Sequence, residues 1–270
     1  MKQQLFLYLL APLLLLLAGC DLQKDIDVAL PEHEPQLVVE CYLEPGKPLR
    51  MSVLESSGYF DEILPPLVPD AEVFITHNGR RIKLKYKPVL ITQTNRFYTH
   101  TSHEIMNGKP GDIFGLEVQD SRGRKVTAFT TVLPRVPIDT IEWRFNDEGK
   151  ALLLTTYQDD PDTRNFYRYM THRDSLEKGS ERSFISSDNL TNGKRVSYGS
   201  AYDYEVGDTL IISLFHIEKQ YYDFLGSVSD AKNANGNPFA QPSRIKSAVQ
   251  GGIGIFTNIA YDRKTVIITK

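Results

Sequence analysis

Short segments in which apolar residues occupy every second position are the feature that most restricts how this chain can fold. The clearest is residues 37–43, where Leu37, Val39, Cys41 and Leu43 fall on one face. Because successive side chains of a strand point to opposite faces, this spacing predicts a strand with one buried face. The same spacing recurs at Leu49, Met51 and Val53, at Ala71, Val73 and Ile75, at Ile82, Leu84 and Tyr86, and at Phe114, Leu116 and Val118.

Turn-forming residues separate these segments. Asn78 and Gly79 stand between two of them, and both tolerate the positive φ that a two-residue hairpin turn requires. Residues 108–112 and 122–123 mark further turns. Several short strands between turn signals within about 100 residues are typical of an immunoglobulin-like antiparallel β-sandwich. We therefore predict such a sandwich over residues 35–135.

Pro134 and Pro137 stiffen the next stretch and favour a domain boundary there. The segments of 138–270 that resemble strands are 141–143, 151–157, 166–170, 182–185, 209–215 and 265–269. In one segment apolar residues recur at spacings of three and four, which predicts an amphipathic helix over 218–232. These residues are Ile217, Tyr221, Phe224, Leu225 and Val228. The predicted fold class is mainly β: an N-terminal immunoglobulin-like antiparallel β-sandwich followed by a second β-rich domain carrying one amphipathic helix.

The start of the chain has the composition of an export leader. An apolar run from Leu5 to Leu17 follows the single charge of Lys2, and it is shorter than the ~20 residues that a membrane-spanning helix needs. Its end, Ala18-Gly19-Cys20, resembles a bacterial lipobox. We predict a signal peptide over 1–20, lipidation of Cys20 with acyl chains such as palmitate, and an acidic tether over 21–34. An ordinary cleaved leader with a chance cysteine is the alternative.

Charge and cysteine content exclude further classes. The formal net charge of -3 leaves no global basic surface, so we expect no binding of nucleic acid. Lipidation of Cys20 would leave Cys41 without an intramolecular partner, so no disulfide is expected. Cys41 falls on the apolar face of the first predicted strand, which indicates a buried apolar residue and not a reactive thiol.

The order of several motifs resembles that of one known family. A Tyr-Tyr pair in the predicted helix precedes an Asn-Pro-Phe-Ala-Gln-Pro run at 237–242 and a glycine-rich segment at 251–256. Earlier marks are Asp-Asp-Pro at 159–161 before Asn-Phe-Tyr at 165–167, and Gly-Asp at 207–208 before an apolar strand. Behind a lipobox, this order is similar to that of a Bacteroidota lipoprotein family catalogued as a domain of unknown function. The resemblance covers nearly all of the mature chain.

The resemblance implies a location and a partner. Families of this kind are outer-membrane lipoproteins, often encoded beside TonB-dependent transporters, so we expect a membrane contact through the N-terminal lipid and a TonB-dependent transporter as partner. The Gln-Lys-Asp cluster at 23–25 looks like signals that send such lipoproteins to the outer face of the outer membrane. A charged spacer is the alternative for this cluster. The resemblance supplies no catalytic residue and leaves the ligand open.

The sequence lacks the spacings of common catalytic motifs. It has no Gly-x-Ser-x-Gly elbow and no His-Glu-x-x-His zinc pair, and no cysteine remains as a nucleophile. We therefore expect no enzymatic activity and no cofactor, and a role as an accessory or ligand-binding component of nutrient uptake. A surface hydrolase of glycans or peptides stays an alternative, because its two carboxylates would be distant in sequence. An adhesin or scaffold is a third possibility.

Aromatic side chains of the second half are candidates for contact with a ligand or partner. We single out Trp143 and three tyrosines, Tyr198, Tyr202 and Tyr204, which lie in a glycine- and polar-rich stretch and are expected to be displayed. Rings with a polar edge suit stacking on sugars or packing in a protein interface. The alternative is structural, since aromatic residues favour strands.

The acidic residues at 159–162 and the glycines at 251–254 could each form a ligand site or have a purely structural role. Asp159, Asp160 and Asp162 are weak metal candidates, but their spacing lacks the glycine and the distal glutamate of a calcium loop. A turn is the favoured interpretation, so no metal is predicted. Gly251, Gly252 and Gly254 precede β-branched and aromatic residues. We therefore predict a bulge or a close backbone approach at a strand, and not a phosphate-binding loop.

Overall fold

A computed structural model describes residues 33–58, 64–235, 241 and 243–270. Pro35–Lys270 forms one compact unit. The leader with Cys20, the tether as far as residue 32 and the motif at 237–240 lie outside the described residues, so the predictions made there stay predictions. Among the helices that the structure describes, none combines the length and apolar character that a membrane span needs.

The first half folds into strands whose bounds follow the predicted alternation. They are β1 Leu37–Leu43, β2 Pro48–Glu55, β3 Glu72–His77, β4 Arg80–Ile91, β5 Arg96–Ile105, β6 Ile113–Gln119 and β7 Lys125–Thr131. Neighbours pair antiparallel in the order β1-β2-β5-β4-β3-β6-β7. Strand β4 belongs to two layers, because its residues 80–84 pair with β3 and its residues 85–91 lie along β5.

The two layers enclose an apolar core. Val39 and Met51 of one layer pack in the same cluster as Val73 and Val118 of the other, and all four are fully buried. The order β1-β2-β5-β4 against β3-β6-β7 is that of the seven-stranded immunoglobulin sandwich. The predicted N-terminal sandwich is therefore confirmed.

The predicted hairpin between β3 and β4 is also confirmed. Asn78 and Gly79 have φ values of 49° and 74°, the positive values expected of the central residues of the favoured turn. Val73 lies opposite Leu84 and Ile75 opposite Ile82, so the alternating apolar residues of both strands share the buried face.

The second half contributes the remaining elements. They are β8 Thr140–Phe145, β9 Ala151–Gln158, β10 Phe166–Arg173, β11 Arg182–Ser187, β12 Arg195–Tyr204, β13 Thr209–Ile217, helix α1 Lys219–Asn235, β14 Ile253–Asn258 and β15 Ala260–Ile267. A three-stranded sheet has the order β12-β9-β8, and a four-stranded sheet has the order β11-β10-β13-β15. Side chains of both sheets meet in a second core that includes Leu153 and Leu214.

The second half repeats the plan of the first. In each half the first, second and fifth strands are neighbours, and the third strand pairs with both the fourth and the sixth. The sixth strand pairs with the seventh, which is β7 in one half and β15 in the other. The second β-rich domain is therefore a second sandwich of the same strand order.

The connection between the sixth and seventh strands of the second sandwich holds the predicted helix. Helix α1 begins at Lys219 and ends at Asn235, so the predicted helix over 218–232 is confirmed and extends further. Its Tyr221 and Phe224 pack with Phe166 and Ile217 in a third hydrophobic cluster. The helix thus buries its apolar face mainly against the four-stranded sheet.

After α1 the chain returns to the first sandwich. Strand β14 pairs in parallel with β1, and Thr127 of β7 forms a bridge with Gln250 just before it. A Cβ atom on Gly254 would lie 1.8 Å from the Val39 carbonyl oxygen, and one on Gly251 would lie 2.0 Å from that of Lys125. The predicted close backbone approach of these glycines is confirmed.

Three features differ from the sequence prediction. The last strand begins at Ala260 and not near residue 265, and β12 was not predicted as a strand at all. The sheets also do not follow the division into 35–135 and 138–270, because β14 comes from the second range and joins the first sandwich. Pairing between segments that are distant along the chain leaves no periodic pattern in the sequence. The sequence therefore did not show that β14 joins the first sandwich.

Candidate functional site

The predicted contact residues Tyr198, Tyr202 and Tyr204 lie on an edge strand. Strand β12 ends the three-stranded sheet, and β11 ends the four-stranded sheet. Side chains connect these two strands: the hydroxyl oxygens of Tyr198 and Ser186 are 2.5 Å apart, and Arg182 forms an ion pair with Asp203. We call Phe184, Tyr198 and Tyr202 on these strands the tyrosine edge.

Register shifts in β12 separate the three predicted tyrosines. Alternation alone would place them on one face, because their positions differ by even numbers. Strand β12 instead shifts against β9 between Gly199 and Tyr202, and again between Tyr202 and Tyr204. Each shift adds one residue to β12 and reverses the faces of the residues that follow. Tyr202 is 45% exposed whereas Tyr204 is 1% exposed, so the expectation that Tyr204 is displayed is wrong.

Tyr198 is held in place by its neighbours. Its ring centroid lies 5.4 Å from that of Tyr157, 5.1 Å from Tyr169 and 4.9 Å from Phe184. Its hydroxyl also shares a 2.9 Å hydrogen bond with that of Tyr157. Burial raises the pKa of Tyr198, so the side chain is a neutral phenol that both donates and accepts. The half-exposed Phe184 therefore adjoins a rigid aromatic cluster, whereas Tyr202 lies on the other face of β12.

Trp143 lies apart from the tyrosine edge. It belongs to β8, the opposite edge of the three-stranded sheet, and packs partly buried against the second core. Its indole Nε1–H donates a 2.7 Å hydrogen bond to the Thr269 carbonyl oxygen. The structure therefore gives Trp143 a role in holding the C-terminal segment, and it does not join Trp143 to Tyr198 or Tyr202.

The acidic residues at 159–162 point in different directions. Asp159 is 1% exposed, accepts a 2.5 Å hydrogen bond from the Tyr167 hydroxyl and accepts another from the Gly193 amide. Asp160 and Asp162 are exposed, and the Asp162 amide donates to the Asp160 carboxylate, which is turn chemistry. Within the described ranges, no group of three or more His, Cys, Asp or Glu side chains is placed to hold a metal ion.

A cavity on the outer face of the first sandwich was not predicted. Its volume is about 240 Å³, and it is lined by Glu40, Tyr42, Ser52, Asn95, Arg96, Phe97 and Tyr98. The guanidinium carbon of Arg96 lies 4.5 Å from the centre of the Tyr42 ring. Tyr42 also contacts Tyr221 of α1, with 5.7 Å between the ring centroids. The sequence signal was an aromatic ring at an outward position of β1, where a polar residue is expected.

Two other cavities differ from this one in chemistry. A cavity of about 400 Å³ between β7 and residues 247–250 is lined by Phe129, Val249 and other uncharged side chains. A cavity of about 330 Å³ at the loops around Pro161 carries the charges of Asp162, Arg164 and Asp188. The Arg96 cavity is the one of these three that combines charged groups with aromatic rings.

The family model described as "Domain of unknown function (DUF4249)" matches residues 23–265. The chain belongs to this family. The match spans both sandwiches of the DUF4249 protein and helix α1, so the resemblance inferred from the order of motifs is confirmed as membership of a family of unknown function. No protein with curated annotation matches the chain.

Two solved structures are similar in outline to the DUF4249 chain. One is a cytokine receptor complex, with 10% identity, a TM-score of 0.26 and coverage of 68% of this chain and 86% of the other. The other comprises the FN1–FN3 domains of chicken CNTN1, with 10% identity, a TM-score of 0.25 and coverage of 86% and 69%. The fold assignment therefore depends on the strand order of the sheets and not on these two structures.

Proposed function

We propose that this DUF4249 protein is a non-enzymatic, lipid-anchored component of the outer membrane that assists a TonB-dependent transporter in nutrient uptake. The observation that carries the proposal is the tyrosine edge. Phe184 is 38% exposed beside the fixed ring of Tyr198, and Tyr202 is 45% exposed on the other face of the same edge strand. Aromatic side chains that are already held in place lose little conformational entropy when a partner docks on them.

The two edge strands add a second means of recognition. Strands β11 and β12 each end a sheet, so their outer backbone groups do not belong to a ladder within the described sheets. Edge strands of this kind can pair with an extended segment of a partner, and aromatic rings beside them supply specificity. We therefore place the transporter contact at the tyrosine edge.

The anchor belongs to the leader that ends at Cys20. Two or more acyl chains at ~0.8 kcal/mol per buried methylene anchor a protein stably, whereas a single chain binds reversibly. Confinement to the same membrane raises the effective concentration of the protein around a membrane-embedded transporter, so a small contact is sufficient for association. The external face of the membrane is the location that this proposal favours.

Co-purification from mildly solubilised outer membranes tests the transporter contact. We expect the chain to recover a TonB-dependent transporter, and the double variant Phe184→Ser/Tyr202→Ser to reduce that recovery at least fivefold. Ile267→Ser is the matched control, because Ile267 is 56% exposed on β15, the opposite edge of the same sheet. Recovery of the chain alone, or an equal loss in the control, would contradict the proposed contact.

Metabolic labelling with a fatty-acid probe tests the anchor separately. The wild-type chain should be labelled and remain with the membrane fraction, and Cys20→Ser should lose both properties. An unlabelled wild-type chain that washes off with soluble proteins would overturn the anchored role.

A further inference from the structure

The Arg96 cavity exists because two neighbouring strands separate. Strands β2 and β5 pair from Pro48 opposite Ile105 to Met51 opposite His100, and the pairing goes no further along β5. The earlier residues of β5 pair only with β4, as in Tyr98 opposite Val89. The outer face of the sheet therefore opens between β2 and the start of β5.

Hydroxyl groups hold this opening at a fixed width. The Val53 amide donates a 2.8 Å hydrogen bond to Thr99 Oγ1, and Ser52 Oγ donates a 2.5 Å hydrogen bond to the Phe97 carbonyl oxygen. These side-chain bonds replace the backbone ladder and satisfy the groups that the separation would leave unpaired. The cavity is therefore part of the folded sheet and not a gap between loose segments.

Arg96 is directed into the opening by the turn before it. Residues 92–94 form a single 3₁₀ turn that ends at Asn95, whose φ of 48° is left-handed. The half-buried Arg96 guanidinium then stacks on the Tyr42 ring. A cation over a tyrosine face contributes about 0.5–2 kcal/mol and keeps the planar guanidinium in one orientation. Arg96 also forms a side-chain hydrogen bond with Tyr98, but a guanidinium carries more N–H donors than this one bond uses.

Two opposite charges line the cavity without neutralising each other. Neither Arg96 nor Glu40 forms an ion pair with any of the residues that the structure describes. Both charges act on Tyr42: burial raises its pKa most strongly, the Glu40 carboxylate raises it further and the Arg96 guanidinium lowers it. The two groups thus both lie near the Tyr42 ring and line the same cavity.

We propose that this cavity binds a small zwitterion of the amino-acid class. The guanidinium of Arg96 accommodates the ligand's carboxylate in a bidentate geometry, and the Glu40 carboxylate accepts its ammonium group. Phe97 and Tyr98 line the same cavity and supply apolar surface for the ligand's side chain. The cavity of about 240 Å³ is smaller than the roughly 300–1,000 Å³ of pockets that hold drug-sized ligands, which suits one small amino acid and excludes a folded peptide.

Charge balance separates this ligand class from others. A phosphate dianion would meet one cation and would also face the Glu40 carboxylate, whose repulsion opposes binding. A neutral sugar would leave both charged groups without a counter-charge. A zwitterion compensates both at once. This inference depends on the proposed function only for its biological setting, because binding of an amino acid needs no transporter.

Calorimetric titration of the full chain in detergent tests the site with three matched probes. We expect L-leucine to bind, N-acetyl-L-leucine, which lacks the ammonium group, to bind at least tenfold more weakly, and L-leucine methyl ester, which lacks the carboxylate, to do the same. Absence of binding by L-leucine would overturn the proposal. Equal binding of the acetylated probe would overturn the zwitterion assignment, since Glu40 would then have no role.

Variants assign the effect to the cavity. Arg96→Gln and Glu40→Gln should each weaken L-leucine binding at least tenfold, and Arg96→Lys should recover part of the loss because it keeps the charge. Arg144→Gln and Glu142→Gln are the controls, because both residues are exposed on β8. These substitutions remove the same charges at a distance from the cavity lining. Thermal melting verifies that each variant folds, and Glu40 is exposed, so its variant tests the site even if Arg96→Gln unfolds. Unchanged affinity in the folded variants would overturn the proposal, whether or not transporter co-purification succeeds.

Discussion

The two sandwiches of this protein share a strand order and differ in what fills them. The buried cluster of the first contains Val, Leu, Ile, Met and Phe side chains, and none of the tyrosines that the structure describes is buried in it. The second buries Tyr157, Tyr167, Tyr169 and Tyr204. The hydrophobic effect that stabilises an apolar core is non-directional, whereas each buried hydroxyl needs a hydrogen-bond partner in a defined geometry. The same backbone plan therefore supports two different kinds of core.

The tyrosine hydroxyls of the second core find their partners inside the sandwich. Tyr169 shares a 2.8 Å hydrogen bond with Thr155, Tyr157 shares one with Tyr198, and Tyr167 donates to Asp159. The bond between Tyr169 and Thr155 crosses between the two sheets, and the bond between Tyr157 and Tyr198 joins neighbouring strands of one sheet. They lead outward to the tyrosine edge, so the core of the second sandwich and its candidate contact surface are one connected structure.

The edges of the two sandwiches differ as well. In the first, β4 joins the layers and β14 covers the free edge of β1. In the second, only side chains join β11 to β12, as in the bond between Ser186 and Tyr198. Closed edges protect a sheet from unwanted pairing, and open edges offer a place for a partner. This difference supports our proposal that a partner is recognised at the edges β11 and β12 of the second sandwich.

Breaking the closed edge should have the largest effect. We expect Gly254→Val to lower the free energy of unfolding by about 4 kcal/mol or more, because the new side chain would meet the Val39 carbonyl oxygen and force a φ of 132° on a branched residue. Gly46→Ala is the control: its φ is 75° with open space around it, so the cost should be about 1–2 kcal/mol. Urea unfolding measures both, and equal losses would show that β14 is not essential to the first sandwich.

Removing one hydroxyl from the second core should have an intermediate effect. Tyr167→Phe removes the hydroxyl that donates a hydrogen bond to Asp159, which is 1% exposed. We expect the free energy of unfolding to fall by about 2–3 kcal/mol. Tyr157→Phe should cost about 1 kcal/mol, because Tyr198 keeps its bond to Ser186. Chemical denaturation of both variants would sharpen the comparison. If Tyr157→Phe proved the more harmful, the buried carboxylate would not be the critical acceptor.

Acid should act on both sandwiches, and its effect should be the smallest of the three. Burial lowers the pKa of His100 in the first sandwich and of His216 in the second below the ordinary value of 6.5. The unfolded chain then binds protons more readily than the folded one, so stability is fully present above pH 6.5 and is lost as the pH falls towards the folded pKa values.

The dependence of unfolding free energy on pH between 7.5 and 5 measures this effect. The slope of unfolding free energy against pH is proportional to the number of protons taken up on unfolding. His100→Gln should reduce that number by up to about one, and His216→Gln should do the same in the second sandwich. The exposed His103 on the same strand as His100 provides the control variant His103→Gln. A slope that none of the buried-histidine variants changes would assign the acid sensitivity to other groups.

Part of the candidate site could be predicted from the sequence. The choice of Tyr198 and Tyr202 followed from aromatic residues in a polar stretch, and both lie at the tyrosine edge. Tyr204 was misplaced because it lies in the second core on the same face as Tyr198, and only Tyr202, which lies between the two register shifts, turns outward. These shifts come from pairing with β9, and the sequence of β12 alone does not reveal them. Arg96 escaped notice because its neighbour Tyr42 is distant in sequence, and only the β1-β2-β5 arrangement brings them together.

The sequence by itself determined what depends on neighbours along the chain. Period-two alternation specified β1 to β3, the Asn78-Gly79 turn specified a hairpin, and period-3.6 spacing specified α1. Tertiary structure alone decided the repeated strand order, the parallel partner of β14 and the cavity beside Arg96. Side-chain periodicity is a local property of the backbone, whereas the choice of strand partners minimises the free energy of the whole chain, and many partners satisfy the same local pattern.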